Sequence, residues 1–373
     1  MVKRPVAIVA ADLISAYGKG IEACWQGMLD ARSAVRKVER FSTEHFSSNL
    51  AATVPGLKPV NDKSLIEQMF EQLEINIIPE LRADSWLFLA TTVGEIDLLE
   101  NAVNNHKTAS ASSQLNLLKK SLQRWQLTEG RLVNAACASA TIALIRAAAM
   151  IETGKIPCAL VVATDCVSEF VFSGFSALGA MSPKPAKPFD AERSGLTLGE
   201  AAGGIVLIDA DLAVKYELPI LAMIGGWGMS CDAKHMTAPD EHGTSLAKAI
   251  NRALTKAGIS SNDIGAIMAH GTGTVYNDAM ELQALKSVFA DTPTPMFSTK
   301  FGTGHTLGAA GIIQVIMALK VLDNDLIPPQ GNLVTPMPDA DNWLAVEARH
   351  LKAANLLSIN AGFGGINAAI IIS

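Results

Sequence analysis

Residues 132–143 read LVNAACASATIA. Leu132-Val133 has the look of a buried strand end, and the small residues after it open a helical segment expected to run to about Thr153. Cys137 therefore falls at a strand-to-helix junction. Backbone N–H groups at such a junction have no helical partner, and their dipoles point at whatever binds there. A thiol in that position is expected to have a lowered pKa and to react as the thiolate. The alanines around it leave room for a substrate. Free cysteine is also a common buried packing residue, so the meaning of Cys137 depends on the rest of the chain.

The chain has 373 residues, 49% hydrophobic and 18% charged, which suits a well-buried globular protein large enough for two halves or a duplicated unit. Its net charge of −6 gives no global field favouring nucleic acid or an anionic membrane. Cys24, Cys137, Cys158, Cys166 and Cys231 are odd in number and lack close pairing, which argues for free thiols in a reducing compartment. No Cys/His spacing matches a zinc site. The opening MVKRPVAIVAADLIS is interrupted by Asp12 and reads as a first strand, not a signal peptide, and no unbroken apolar run has the length of a membrane span. A cytoplasmic protein is the expectation.

Strand and helix patterns alternate along the chain. Strands are expected at 6–11, 86–92, 160–164, 204–209, 221–226, 264–269, 295–298, 356–359 and 368–372, and helices at 21–29, 64–73, 244–258, 278–289 and 308–322. Residues 31–62 read as irregular, 104–114 as a polar loop or helix start, and 181–200 as a long ordered loop. Gly258 is the expected stop of its helix. The alternation predicts an α/β layered fold, with halves 1–212 and 213–373.

Two histidines stand in Gly/Thr-rich settings at strand ends. His270 lies in AHGTGT and His305 in STKFGTGH, ahead of a helix-opening TLGAAG. Loops at strand ends are where α/β folds place their sites; glycines allow close backbone approach and threonines supply hydroxyls. A cysteine with two histidines supports two chemistries: a base for the thiol, or paired donors to an oxygen gaining negative charge. Lys300, near His305, is either an electrostatic tuner of that site or a surface lysine. The tail Gly362-Phe363-Gly364-Gly365 is not followed by the helix and acid of a dinucleotide site.

Taken in order, these segments, together with Trp25, PFDAERSG at 188–195, Gly199-Glu200 and DAKHMTAP at 232–239, resemble the β-ketoacyl synthases. These are the condensing enzymes of fatty-acid and polyketide synthesis in the thiolase-like superfamily. The resemblance implies a duplicated α-β-α-β-α five-layer fold and decarboxylative condensation of an acyl group on Cys137 with malonyl-acyl carrier protein. It implies no cofactor of the chain's own, since phosphopantetheine is carried by the acyl carrier protein. That carrier protein would be one partner. The other would be a second copy, or a second ketosynthase-like subunit in a heterodimer; neither nucleic acid nor membrane is implied.

By the same resemblance, His270 and His305 assist decarboxylation and Lys300 tunes them. The N–H groups of Cys137 and Phe363 form an oxyanion hole, and Phe363 gates. Thr272 and Thr274 hold the pantetheine arm, and Asp232, His235 and Thr237 border the malonyl site. Lys187, Lys184 and Lys63 are candidate contacts for the acidic carrier protein, and Phe170, Phe172 and Met181 candidate tunnel residues. His305 separates the chain from thiolases and from initiating condensing enzymes. Departures from the family pattern are Gln314, where a glutamate would pair with Lys300, and Ala201, Ala361 and Ile366. Shortening before Cys137 and around 181–187 trims the cap. A low-activity chain-length-factor role is the alternative these departures keep open.

Overall fold

A computed structural model describes residues 3–60, 63–105, 114–290 and 292–373. The loop expected at 104–114 lies largely outside the described residues. The first half of the chain contributes strands β1 (Val6–Ser15), β2 (Trp86–Ala90), β3 (Glu129–Val133), β4 (Cys158–Asp165) and β5 (Ala201–Asp209). The second half contributes β6 (Ala222–Cys231), β7 (Ile264–Met268), β8 (Met296–Phe297), β9 (Asn355–Gly362) and β10 (Ile366–Ile372).

The first sheet runs β3-β2-β4-β5-β1 and the second β8-β7-β9-β10-β6. In both, the last-formed strand lies antiparallel to its two neighbours, and the other pairings are parallel. The second half thus repeats the topology of the first strand for strand. The two sheets join edge to edge where Ala7 and Ile8 of β1 face Met223 and Ala222 of β6. The half boundary expected at 212/213 falls within a short helix, Ala210–Lys215, that leads from β5 towards β6.

The helices that matter here are α1 (Ile21–Leu29), α2 (Leu65–Gln72), α3 (Gln114–Trp125), α4 (Ser139–Glu152), α5 (Glu169–Ala177), α6 (Thr244–Ala257), α7 (Val275–Phe289) and α8 (Ala310–Asn324). Helices α4 and α8 form the middle layer. Their apolar residues share one cluster with Val161 and Ile205 of the first sheet and Met268 and Ile370 of the second. The other face of the first sheet is covered by α2 and α3, and that of the second by α6 and α7. The result is the five-layer α-β-α-β-α arrangement. Every residue of β4 is buried, as a strand covered on both faces must be, and its sequence CALVVATD shows no polar alternation until its end.

Local signals account for several boundaries. Ser64 begins α2 with a reciprocal capping box to Glu67. Gly258 ends α6 in the left-handed conformation, as a C-cap glycine does. Residues 307–324 are apolar enough for a membrane span by composition, but 78% of that stretch is buried inside the fold, where α8 serves as a core helix.

Candidate active site

The elbow that carries Cys137 is built from its small neighbours. Ala136 adopts φ 49°, a left-handed conformation costing a non-glycine residue about 1–2 kcal/mol. Ser139 holds it there: its hydroxyl accepts from Ala135 N at 2.9 Å and donates to Ala136 O at 2.6 Å. Gly362 packs against this turn, since a Cβ there would lie 3.2 Å from Cys137 N. The N–H groups of Cys137 and Phe363 both face the sulfur.

Cys137 Sγ lies 3.0 Å from His305 Nε2. The His270 and His305 rings stand 5.4 Å apart, centre to centre, and nearly perpendicular at 86°. The three side chains border a cavity of about 360 Å³ that is also lined by Phe363, Thr272, Thr274, Asp232 and Thr237. Phe363 stacks on Phe175 at 5.8 Å across this space. The Thr272 and Thr274 hydroxyls are 2.9 Å apart. Asp232 is tied by Asn367 Nδ2 at 2.7 Å.

The expected acidity of Cys137 is corrected. Burial pushes the thiol up to about 11, and the nearby Lys300 charge and the two N–H groups recover only part of that rise. The thiol is therefore protonated at neutral pH, with His305 Nε2 placed to exchange its proton. Burial, reinforced by Lys300, pushes both histidines well below their ordinary value, so both are neutral imidazoles.

Lys300 is buried, and its Nζ donates to His270 O. Burial lowers its pKa while the Glu281 carboxylate raises it. Glu281 also accepts from His270 N at 2.5 Å and Gly271 N at 2.7 Å. As the Gln314 departure leads one to expect, Lys300 forms no ion pair among the described residues, and the acid with the largest effect on it is Glu281 of α7. Gln314 turns instead to Asn360 and to strand-end carbonyls. Asp278, one turn before Glu281, accepts from Thr272 N, Gly273 N and Phe189 N and so shapes the threonine loop.

Two further expectations change. His235 is exposed and does not line the cavity; its Nδ1 accepts from Thr237 N at 3.1 Å and Ala238 N at 3.0 Å, holding the turn that does. Phe172 and Met181 pack in an apolar cluster with Phe41 and Phe46, and Phe170 is exposed, so none of the three lines the cavity. Lys187 pairs with Glu192 and Lys63 with Glu71; neither these nor Lys184 lines the cavity. Lys187 N does lie against Gly273, at the threonine loop.

Sequence reading missed Glu281, Asp278 and Asn360. The acids stand eight and eleven residues after His270, a helical spacing that turns both towards the loop they hold. That spacing was a usable signal. Asn360 offered none, because its partners lie far away in the chain.

Comparison with known proteins settles the family. The model for the beta-ketoacyl synthase N-terminal domain matches residues 131–213, and that for the C-terminal domain matches 221–334. The chain belongs to the β-ketoacyl synthase family. It is 28% identical over 414 residues to 3-oxoacyl-[acyl-carrier-protein] synthase 2 of Coxiella burnetii, covering 100% of this chain and 99% of that protein. A putative polyketide beta-ketoacyl synthase 1 of Streptomyces cyaneus is 28% identical over 427 residues, at 99% and 98% coverage. Among solved structures, a chain of the ishigamide ketosynthase/chain length factor superposes with a TM-score of 0.88 at 27% identity, covering 100% of this ketosynthase and 99% of that chain. The protein is an enzyme of the 3-oxoacyl-[acyl-carrier-protein] synthase family, with condensing activity in fatty-acid or polyketide synthesis.

Proposed function

We propose that this ketosynthase elongates an acyl chain held on Cys137 by decarboxylative condensation with malonyl-acyl carrier protein. The observation that carries the reading is the Cys137–His305 contact at 3.0 Å with the His270 ring set perpendicular beside it in one cavity. In the acyl transfer, Sγ forms a bond to the thioester carbon and the bond to the pantetheine sulfur breaks. The thiol proton passes by way of His305 to the departing sulfur. The N–H groups of Cys137 and Phe363 receive the oxyanion.

Loss of carbon dioxide from the malonyl group then leaves an electron pair as an enolate, whose oxygen takes hydrogen bonds from the neutral histidines. The enolate carbon attacks the acyl carbon on Cys137, the thiolate departs, and it takes a proton from solvent water by way of His305, the original one having left on the carrier-protein thiol. Lys300 donates to His270 O while Glu281 accepts from His270 N and Gly271 N, so the two hold the histidine loop with Gln314 in place. The 3-oxoacyl product remains on the carrier protein.

The trimmed cap supports a specialised polyketide- or polyene-type pathway over housekeeping synthesis. The free state of all five cysteines supports a cytoplasmic setting. The unpaired outer edge of β3, at the end of its sheet, supports pairing with a second copy or a ketosynthase-like subunit.

Intact-protein mass measurement tests the reading. Acyl-carrier protein should leave an acyl adduct that is absent in Cys137→Ala, and malonyl-carrier protein should then yield 3-oxoacyl product. His270→Ala should cut decarboxylation about 10²- to 10³-fold with acylation retained, the effect of removing one oxyanion donor. Product formed only with a second subunit whose own cysteine is required would instead establish the chain-length-factor role.

A further inference from the structure

Gln314 has no exposed surface. Its Nε2 lies 2.9 Å from Met268 O, 2.9 Å from Ala269 O and 3.0 Å from Ile359 O. Three acceptors around one atom require the amide's N–H end there. The backbone therefore dictates which way the amide points. Its Oε1 is left facing Asn360, whose Nδ2 donates to it at 2.6 Å. Asn360 is also fully buried, and its Oδ1 accepts from Thr141 Oγ1 at 2.5 Å. The second hydrogen on Asn360 Nδ2 is aimed at His270 Nδ1, 3.2 Å away. Nδ1 is thus an acceptor, and a neutral ring with an accepting Nδ1 carries its proton on Nε2.

We propose that Gln314 is a positioning residue that, acting through Asn360, holds His270 as the Nε2–H tautomer. The ring then presents a donor to the cavity at all times. His305 contrasts with it: no hydrogen-bond partner for its Nδ1 exists among the described residues, so no neighbour dictates its tautomer. One histidine is a committed donor, and the other is free to accept from and donate to Cys137.

A carboxyl group at position 314 faces the same three carbonyls, and only its protonated form can donate to them. Glutamine supplies that N–H without titrating. The charged and titratable groups around His270 are Lys300, His305 and Glu281, with Cys137 beyond His305. Among the described residues, Gln314 itself hydrogen-bonds only to carbonyls and the Asn360 amide.

The substrate side of this inference rests on the condensation proposed above; the tautomer does not. Nitrogen-15 NMR of imidazole-labelled full-length protein, with His270→Asn to assign the ring, should show a single Nε2–H form. Gln314→Leu should give mixed tautomers and slow malonyl decarboxylation about tenfold or more, with Cys137 acylation retained. Gln314→Glu should decarboxylate well at low pH and lose rate as the new carboxyl ionises, over a range where the wild type is flat. A wild-type tautomer in Gln314→Leu, or a Gln314→Glu profile parallel to wild type, overturns the proposal. If Gln314→Leu does not fold, the Gln314→Glu profile and its imidazole spectrum decide. Should the wild type not decarboxylate malonyl-carrier protein at all, the functional reading fails while the spectra of both variants still decide the tautomer.

Discussion

At Cys137, burial outweighs everything else that acts on the thiol. Lys300 and two N–H groups pull its pKa down, yet it stands at about 11. Alkylation by iodoacetamide should therefore be slow at pH 8 and rise by about tenfold per pH unit to pH 10, since only the thiolate reacts. A plateau near pH 9 would contradict this. His270 and His305 carry the opposite consequence for stability. Their folded pKa values are depressed, so below pH ~6.5 the unfolded chain takes up protons that the folded one refuses. Stability should fall as pH drops through that value, by about 1.4 kcal/mol per unit for each ring. Urea unfolding at several pH values should show the slope, and the His270→Asn/His305→Asn variant should flatten it.

At the scale of elements, the crossing of α4 and α8 depends on Gly311. A Cβ there would lie 2.2 Å from Thr141 Oγ1 and 3.0 Å from Asn360 Oδ1. Gly311→Ala should destabilise the protein by about 1–3 kcal/mol in urea unfolding. Thr141→Ala should relieve part of that loss, because it removes the atom in the way. No sequence pattern announces this crossing; it is a long-range contact between two apolar helices. By contrast, β4 and β10 were legible as unbroken apolar runs, and α1 matched its expected bounds at both ends. Helix α5 was not expected: EFVFSGFSA is too apolar and glycine-broken to show helical periodicity, and Ser168 caps it only in context. The Cys137, His270 and His305 loops could be read because each is a compact local motif. The roles of Asn360 and Gln314 could not, because their partners lie in distant parts of the chain.

For the whole molecule, the link between halves is a short exposed stretch, while the contacts between them are the buried α4–α8 layer and the β1–β6 edge pairing. Cleaving the chain between Pro219 and Ile220 should leave two fragments that are insoluble alone. Co-expressed, they should copurify and recover the Cys137 acyl adduct, read by mass. Failure to copurify would show that the connection, and not the shared layer, holds the halves. Strand-for-strand equivalence of the two sheets was invisible in the residues, because pairing order constrains burial and direction but hardly constrains identity.

The repeated topology places Cys137 between β3 and α4, and Lys300 and His305 between β8 and α8. These are equivalent positions in the two sheets. In a symmetric pair of separate half-length chains, both copies of that loop would be encoded once, so nucleophile and proton carrier would have to share it. Joining the copies in one gene lifts that constraint and lets each mutate alone. In this chain the two equivalent loops carry different residues, the nucleophile in one and the proton carrier in the other, so a substitution in either leaves its counterpart untouched.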